Sequence, residues 1–344
     1  MKFRKSRCST IAVSAVAAFS ASMVILSSGP AFAATDIIVG TQNAAVNAQV
    51  QYAQDYGVFA KNGLNATIRP AAPPALIAQL AAGQIQFMYL PLANAITART
   101  NGGINLKVIA PANGISYLDA RRMKQDAKFA ALTDTSAMCV RSDSAIKRGK
   151  DLEGKVVVVG SRGGLSELDF REFVRKDGGD PNTIKWTVAP MGPGIDLVKS
   201  GRADIAYAAL PFTSACNQEG LKVLTQADFV VNPVGGPTAG WVTTADYAAQ
   251  NPAVVTAFQK SIWEVNQQLA GNSTSTQANR EKMVQSMMKL SGQPREYITA
   301  YKLPYFFGTI RQADVTPWAL ALQRNGLVSK PVDVPGLLAK QYTP

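Results

Sequence analysis

Two stretches of this sequence run through the same order of elements. PPALIAQLAAGQIQFMYLPLANA begins at Pro73 and MGPGIDLVKSGRADIAYAALPFTSA begins at Met191. Each reads as a turn, a short helix closed by glycine, a polar residue, an apolar strand containing tyrosine, and then Leu-Pro-apolar-x-x-Ala. A strand flanked by helices has to bury its apolar face against neighbours, so a duplicated unit of this kind predicts two similar α/β lobes rather than one undivided core.

The flanking sequence fits that expectation. Residues 36–40 are a β-branched run ending in glycine, which predicts a first strand with its loop at 41–43. Val46, Val50 and Ala53 recur at helical spacing, and Asn62-Gly63 is a helix stop. Strands are expected at 64–69 and 85–90, with a helix over 73–82 between them. A second run predicts strands at 138–141, 156–160, 186–189 and 204–210 and helices at 165–176 and 195–200. Strands alternating with helices imply largely parallel sheets. From Pro252 the period is mostly helical, with the polar run 271–279 expected to be a flexible loop.

Lys2, Arg4, Lys5 and Arg7 precede an apolar stretch over 11–26 and then a small-residue run ending Ala31-Phe32-Ala33. Positive, apolar, then A-x-A is the order of a secretory signal peptide, so residues 1–33 are expected to be removed. Serines interrupt the stretch, and it falls short of the ~20 apolar residues that span a bilayer. Cys8 lies among the basic residues rather than after the apolar run, which argues against a lipid anchor and for a protein released in soluble form into the periplasm. Cleavage leaves 311 residues, and the formal charge falls from +12 to +8. Without a Lys/Arg block or interleaved aromatics that charge marks no nucleic-acid face. Cys139 and Cys216 remain; export permits a disulfide between them, and two buried thiols are the other reading.

Histidine is absent from the whole chain. That excludes Ser-His-Asp and Cys-His nucleophile systems and imidazole metal sites together. No phosphate-binding loop ending in Gly-Lys-Ser/Thr, no paired Cys-x-x-Cys and no Gly-x-Ser-x-Gly occurs. No cofactor is expected, and no enzymatic activity. The carboxylates Glu167, Asp169 and Glu172 read as a solvated helix face near the positive end of the helix dipole.

VVVVGSRGGLSELDF, from Val156, carries a buried strand into a Ser/Gly loop and a helix start. Backbone N–H groups there can hold an anion, and Arg162 adds a full charge. The alternative is a turn capped by Ser161 or Ser166 with Arg162 in solvent. Tyr89 and Phe212 flank Leu-Pro turns at the carboxyl ends of strands, where open α/β sheets bind ligands. Trp241 reads as packing.

Together these segments resemble the nitrate/sulfonate/taurine-type solute-binding proteins of ABC importers, a family that also holds binders of thiamine pyrimidine precursors. The resemblance rests on YGVFAKNGL from Tyr56, AAGQIQF from Ala81, VRSDS from Val140, DLEGK from Asp151 and ADYAAQNPAVVTAFQKSI from Ala245. It implies a two-lobed periplasmic-binding-protein clamshell of type II with two crossover segments. Lobe 1 would comprise residues 34–135 and 244–344, and lobe 2 residues 136–243. By matching position, ligand contacts are expected at Gln42, Asn43, Tyr89, Leu90, Leu92, Asn113, Ser161, Arg162, Gly163, Gly164, Met191, Gly192, Leu210 and Phe212. Many members carry a Trp-Glu-Pro run where this chain has Ala209-Leu210-Pro211-Phe212, and the lost acid points to a small organic anion with an apolar body. The implied role is capture by a monomer and delivery to a membrane permease; ligand sensing for a receptor, or binding of a neutral heterocycle, are the alternatives. Residues 117–132 fit the family poorly, which leaves the first crossover unplaced.

Overall fold

The computed structural model describes residues 1, 34–133, 136–218, 220–269 and 276–344. The leader read over residues 1–33 therefore lies, apart from Met1, outside the described residues. Among the described residues no helix is long and apolar enough to cross a membrane.

The chain enters through β1 (Thr35–Thr41), and α1 (Gln49–Asp55) with α2 (Val58–Lys61) returns it to β2 (Leu64–Pro70). Then α3 (Pro73–Ala81) leads to β3 (Phe87–Pro91), and α4 (Leu92–Thr100) to β4 (Leu106–Pro111). A short β5 (Asn113–Ile115), α5 (Tyr117–Met123) and α6 (Ala127–Thr133) connect to β6 (Ser136–Arg141). The second run follows as β7 (Val156–Val159), α7 (Leu165–Lys176), β8 (Lys185–Val188), α8 (Met191–Lys199), β9 (Ile205–Ala209), α9 (Phe212–Gln218) and β10 (Leu221–Gln226). The return passes through α10 (Ala227–Val231) and β11 (Gly236–Pro237) to β12 (Ala239–Thr244). The tail comprises α11 (Ala245–Gln250), α12 (Pro252–Leu269), α13 (Gln277–Ser291), α14 (Arg295–Thr299), β13 (Tyr305–Phe306), α15 (Gln312–Arg324) and α16 (Val334–Leu337).

The two large sheets have one topology. The first has the order β2-β1-β3-β12-β4 and the second, read from the opposite edge, β8-β7-β9-β6-β10. In each, three neighbouring strands are parallel (β2, β1, β3 and β8, β7, β9), and the fourth strand (β12 or β6) runs antiparallel to both of its neighbours. Each sheet is thus largely parallel, with one antiparallel strand inserted next to the parallel three. That strand enters on the passage from one sheet to the other, which reverses its direction. Because β12 pairs with β3 and β4, the chain rejoins the first sheet at Ala239, five residues before the expected boundary at 244.

The repeated units occupy equivalent places. Each contributes a helix (α3 or α8), the third parallel strand (β3 or β9) and the helix after it. Gly83 and Gly201 follow α3 and α8 at φ +70° and +71°, the left-handed C-terminal position that glycine fills without steric cost. The α8 helix starts at Met191, four residues before its expected start, since Pro193 in the first turn gives up an N–H that has no helical partner there.

In the first sheet, Trp241 on β12 and Phe87 on β3 pack with Phe258 of α12 on one face; the Phe87 and Phe258 rings stack at 4.1 Å. Leu76, Leu90, Leu92 and Trp318 fill the other face. In the second sheet Val157 and Val159 face Phe170 of α7, while Val158 faces the α8 side, the period-two alternation of a strand buried on both faces. Cys139 of β6 and Cys216 of α9 are joined by a disulfide with Cα atoms 6.0 Å apart. Part of the expected loop over 271–279 lies outside the described residues. Gln277 to Asn279 instead open α13, capped by the Thr276 hydroxyl, which accepts from the Asn279 N–H.

Candidate functional site

The carboxyl ends of β3 and β9 converge on a cavity of about 70 Å³. Tyr89 and Pro91 reach it from β3, and Tyr207 and Ala209 from β9, two residues apart in each case as one face of a strand requires. The first sheet's side adds Gln42 and Asn47 from the segment after β1 and Asn94 from α4, and the small sheet β11-β5-β13 adds Asn113 from β5. The second adds Ser136 at the start of β6, Ser161 after β7 and Asp228 of α10.

The walls are polar and mostly engaged. Tyr89 Oη donates to Asn113 Oδ1 at 2.8 Å, Tyr207 Oη to Asp228 Oδ1 at 3.4 Å, and the Asp228 N–H to Ser136 Oγ at 3.0 Å. Burial, and next the charge of Asp228, push the Tyr89 phenol well above its ordinary pKa, so it remains a donor. Asn47 Nδ2 donates to Gln42 O at 3.3 Å, while Asn47 Oδ1, buried in the wall, has no hydrogen-bond partner among the described residues. A buried acceptor without a donor is costly unless a bound molecule or water supplies one. Among the described residues no lysine or arginine lines the cavity, and Asp228 is its only carboxylate.

A second cavity of about 610 Å³ opens from the first and shares Gln42, Ala44, Pro73, Gly160 and Met191 with it. Its walls are mostly apolar: Pro70, Pro73 and Pro74 on one side, Val188, Pro190 and Pro193 on the other, with Phe212 beside them and Gln42 and Asn43 as the polar side chains. Pro70 ends β2, whereas Pro73, Pro74, Pro190 and Pro193 sit at the starts of α3 and α8, the equivalent helices of the two repeats.

Direct bonds join the two sides of the cleft. Asn94 Nδ2 donates to Ser161 Oγ at 3.1 Å, Asn94 Oδ1 accepts from the Leu165 N–H at 2.9 Å, and the Ala45 N–H donates to Leu210 O at 3.2 Å. Gly164 permits this approach. A Cβ there would stand 2.2 Å from Asn94 Nδ2 and 2.6 Å from Ser161 Oγ.

The anion site expected at the start of α7 is already occupied by the protein's own groups. Arg162 donates through Nε (2.8 Å) and Nη2 (3.1 Å) to the Glu167 carboxylate, which also takes the Gly163 N–H (2.7 Å) and Arg171 Nε (2.7 Å). Glu167 is 1% exposed. Burial pushes its pKa up, and these four donors more than offset that, holding it below the usual carboxylate range. Arg162 lies over the Trp186 ring, 5.2 Å from its centroid, and lines neither cavity. Glu167, Asp169 and Glu172 are all buried, not a solvated face. α7 is enclosed because α4, α10 and α15 pack on it in addition to its own sheet.

Of the residues expected from sequence, Gln42, Tyr89, Asn113, Ser161 and Met191 line the inner cavity, and Gln42, Asn43, Met191, Gly192 and Phe212 the outer one. Leu90, Leu92 and Leu210 are packed in the cores at 0% exposure, and Arg162, Gly163 and Gly164 form the closed turn above Glu167. Sequence reasoning missed Asn47, Asn94, Ser136, Tyr207 and Asp228. Tyr207 had a signal, since it is the tyrosine of the second repeat. Ser136 and Asp228 lie on the passages between sheets and had none.

Residues 128–272 match the NMT1/THI5-like family model. No protein of curated function matches the chain by sequence. Among solved structures the chain is similar to the periplasmic aliphatic sulphonate binding protein SsuA from Escherichia coli (18% identity, 89% of this chain and 92% of that one, TM-score 0.65). It is similar to the alkanesulfonate-binding protein SsuA from Xanthomonas axonopodis pv. citri bound to MOPS (15%, 89% and 98%, TM-score 0.69). The periplasmic nitrate-binding protein NrtA from Synechocystis PCC 6803 is comparable (15%, 89% and 86%, TM-score 0.69). The chain thus has the periplasmic-binding-protein fold and carries an NMT1/THI5-like region over residues 128–272.

Proposed function

We propose that this chain is the exported solute-binding component of an ABC importer, working as a monomer without cofactor or chemistry of its own. The two large sheets are the lobes of a clamshell: residues 34–135 with the C-terminal part from 239 on one side, and residues 136 to the β12 boundary on the other. One small molecule bound between them holds them together, and a permease recognises the closed form.

The observation that carries the ligand class is the acceptor character of the inner cavity. Asn47 Oδ1 and the Asp228 carboxylate line a space with no basic side chain among the described residues, while the Arg162 and Arg171 guanidinium groups are bound to Glu167. A neutral or cationic head group that donates a hydrogen bond to Asn47 Oδ1 supplies the partner that acceptor lacks and suits the negative charge of Asp228, and an apolar body fits the proline-walled outer cavity. This replaces the organic anion expected from Arg162. An anion is the second reading, favoured by the sulfonate and nitrate named for the similar structures.

Thermal shift of the leaderless protein against primary amines, amino-heterocycles, sulfonates and nitrate separates the two. Ligand at 100 times its dissociation constant adds ~2.7 kcal/mol, roughly 4 °C for a chain of this length. Amines or heterocycles are expected to raise the midpoint, and Asp228→Asn to abolish the shift. Sulfonates or nitrate acting in their place, undiminished by Asp228→Asn, refute the head-group assignment, and turnover of the bound molecule refutes the binding role.

A further inference from the structure

Residues 117–132, the stretch that fits the family resemblance poorly, build a feature the cleft does not use. They form α5 and α6 around a small core of their own, Ile115, Ala120, Met123 and Ala130. This unit is held against the chain between α14 and α15. The Lys302 N–H donates to Leu132 O (2.7 Å), Lys302 Nζ pairs with Asp119 (2.6 Å), and Arg311 Nη2 donates to Tyr117 Oη (2.8 Å). Between them lies a cavity of about 760 Å³ that shares no lining residue with either cleft cavity.

Its walls combine rings with positive charge. Tyr305 and Phe307 meet edge to face at 4.8 Å, and Phe307 and Tyr117 at 5.9 Å. Four cations, Arg121, Arg280, Lys302 and Arg311, line the space against two acids, Asp119 and Asp314. Asp119 is engaged by Lys302. Asp314, whose side chain is 4% exposed, is engaged by Arg311 at Nε (3.2 Å) and Nη2 (3.0 Å) and by Tyr117 Oη (2.5 Å). Arg311 is thereby fixed in place before any ligand arrives. Arg121 and Arg280 have no ion-pair partner among the described residues. Among the described residues two positive charges are therefore left without an acid partner beside three aromatic rings.

We propose that this cavity is a second small-molecule site, separate from the cleft, and that it takes a planar aromatic anion. The ring would pack against Tyr305 and Phe307, and the acid group would meet Arg121 and Arg280, where a guanidinium offers a carboxylate two parallel donors. The polarity is opposite to that of the cleft, whose inner cavity presents acceptors. The assignment does not rest on the proposed transport role.

Calorimetric titration of the leaderless protein with 2-naphthoate tests it, with 2-naphthalenemethanol (ring, no charge) and acetate (charge, no ring) as controls. Saturable binding of 2-naphthoate at one site is expected, at least tenfold tighter than either control and weakening as salt is raised. Arg121→Gln/Arg280→Gln together are expected to weaken it at least tenfold. Both residues are exposed, so thermal melting should stay unchanged. Tyr305→Leu should also weaken it, and Asp228→Asn in the cleft should leave it alone. Absence of saturable binding overturns the proposal, as does a control binding as tightly as 2-naphthoate. Unchanged affinity in the double arginine variant, or loss of binding in Asp228→Asn, places the probe elsewhere and overturns it as well.

Discussion

Replacing Glu172 by glutamine removes a buried charge that ties α7, on the second sheet, to α15, which packs against α4 on the first. Its carboxylate accepts from Arg324 Nη2 (2.8 Å), Arg175 Nη2 (2.9 Å) and Asn325 Nδ2 (2.7 Å). Burial pushes the pKa up, and Arg324, Arg175 and Asn325 together outweigh it and hold it at about 2, against an ordinary value of 4.5. A folded-state pKa below the unfolded one gives stability that is fully present above the unfolded value and lost as pH falls from about 4.5 towards 2. At 1.36 kcal/mol per unit the depression corresponds to about 3 kcal/mol at pH 7. That is a ceiling, because the Arg324 and Arg175 side chains are 38% and 41% exposed and solvent screens them. Spread over the unfolding entropy of roughly 311 residues, it lowers the melting midpoint of Glu172→Gln by up to about 5 °C at pH 7. The assay is a pair of melting series from pH 7 to pH 2.5. The gap between the native chain and the variant should be widest above pH 5.5 and close progressively below 4.5. A gap that stays constant across that range would refute the linkage and leave packing as the cause.

Gly164→Ala forces a methyl group into Asn94 and Ser161. Losing the two Asn94 bonds at about 1 kcal/mol each weakens ligand binding roughly 30-fold, and in an Asn94→Ala background the same change should cost far less; equal costs in both backgrounds, measured by titration, refute the steric account. Arg162→Gln is expected to change cleft affinity less than about twofold, because its guanidinium serves Glu167; a tenfold loss restores the anion reading. Reducing the Cys139–Cys216 bond reopens a loop of 77 residues and should destabilise the fold by up to about 4 kcal/mol, read by denaturant melts with and without reductant, and no shift would contradict the loop-entropy argument.

The sequence by itself determined the elements and their repetition. Helices closed by Gly83 and Gly201, the strands that carry Tyr89 and Tyr207, and the valine run from 156 are local signals, set by backbone sterics and period. The missing histidine is a fact of composition and excludes the same chemistry in any fold. What only the tertiary structure decided is the charge of the cleft. Arg162 and Glu167 are five residues apart, and nothing in that spacing says whether the arginine faces a ligand or closes on a carboxylate that α4, α10 and α15 have enclosed. Asp228 and Ser136 reach the cavity only because the passages between sheets bring them there, and Glu172 finds Arg324 across 152 residues of chain. Burial of a charge depends on what packs against every side of its helix, and the hydrophobic period of one helix reports one side.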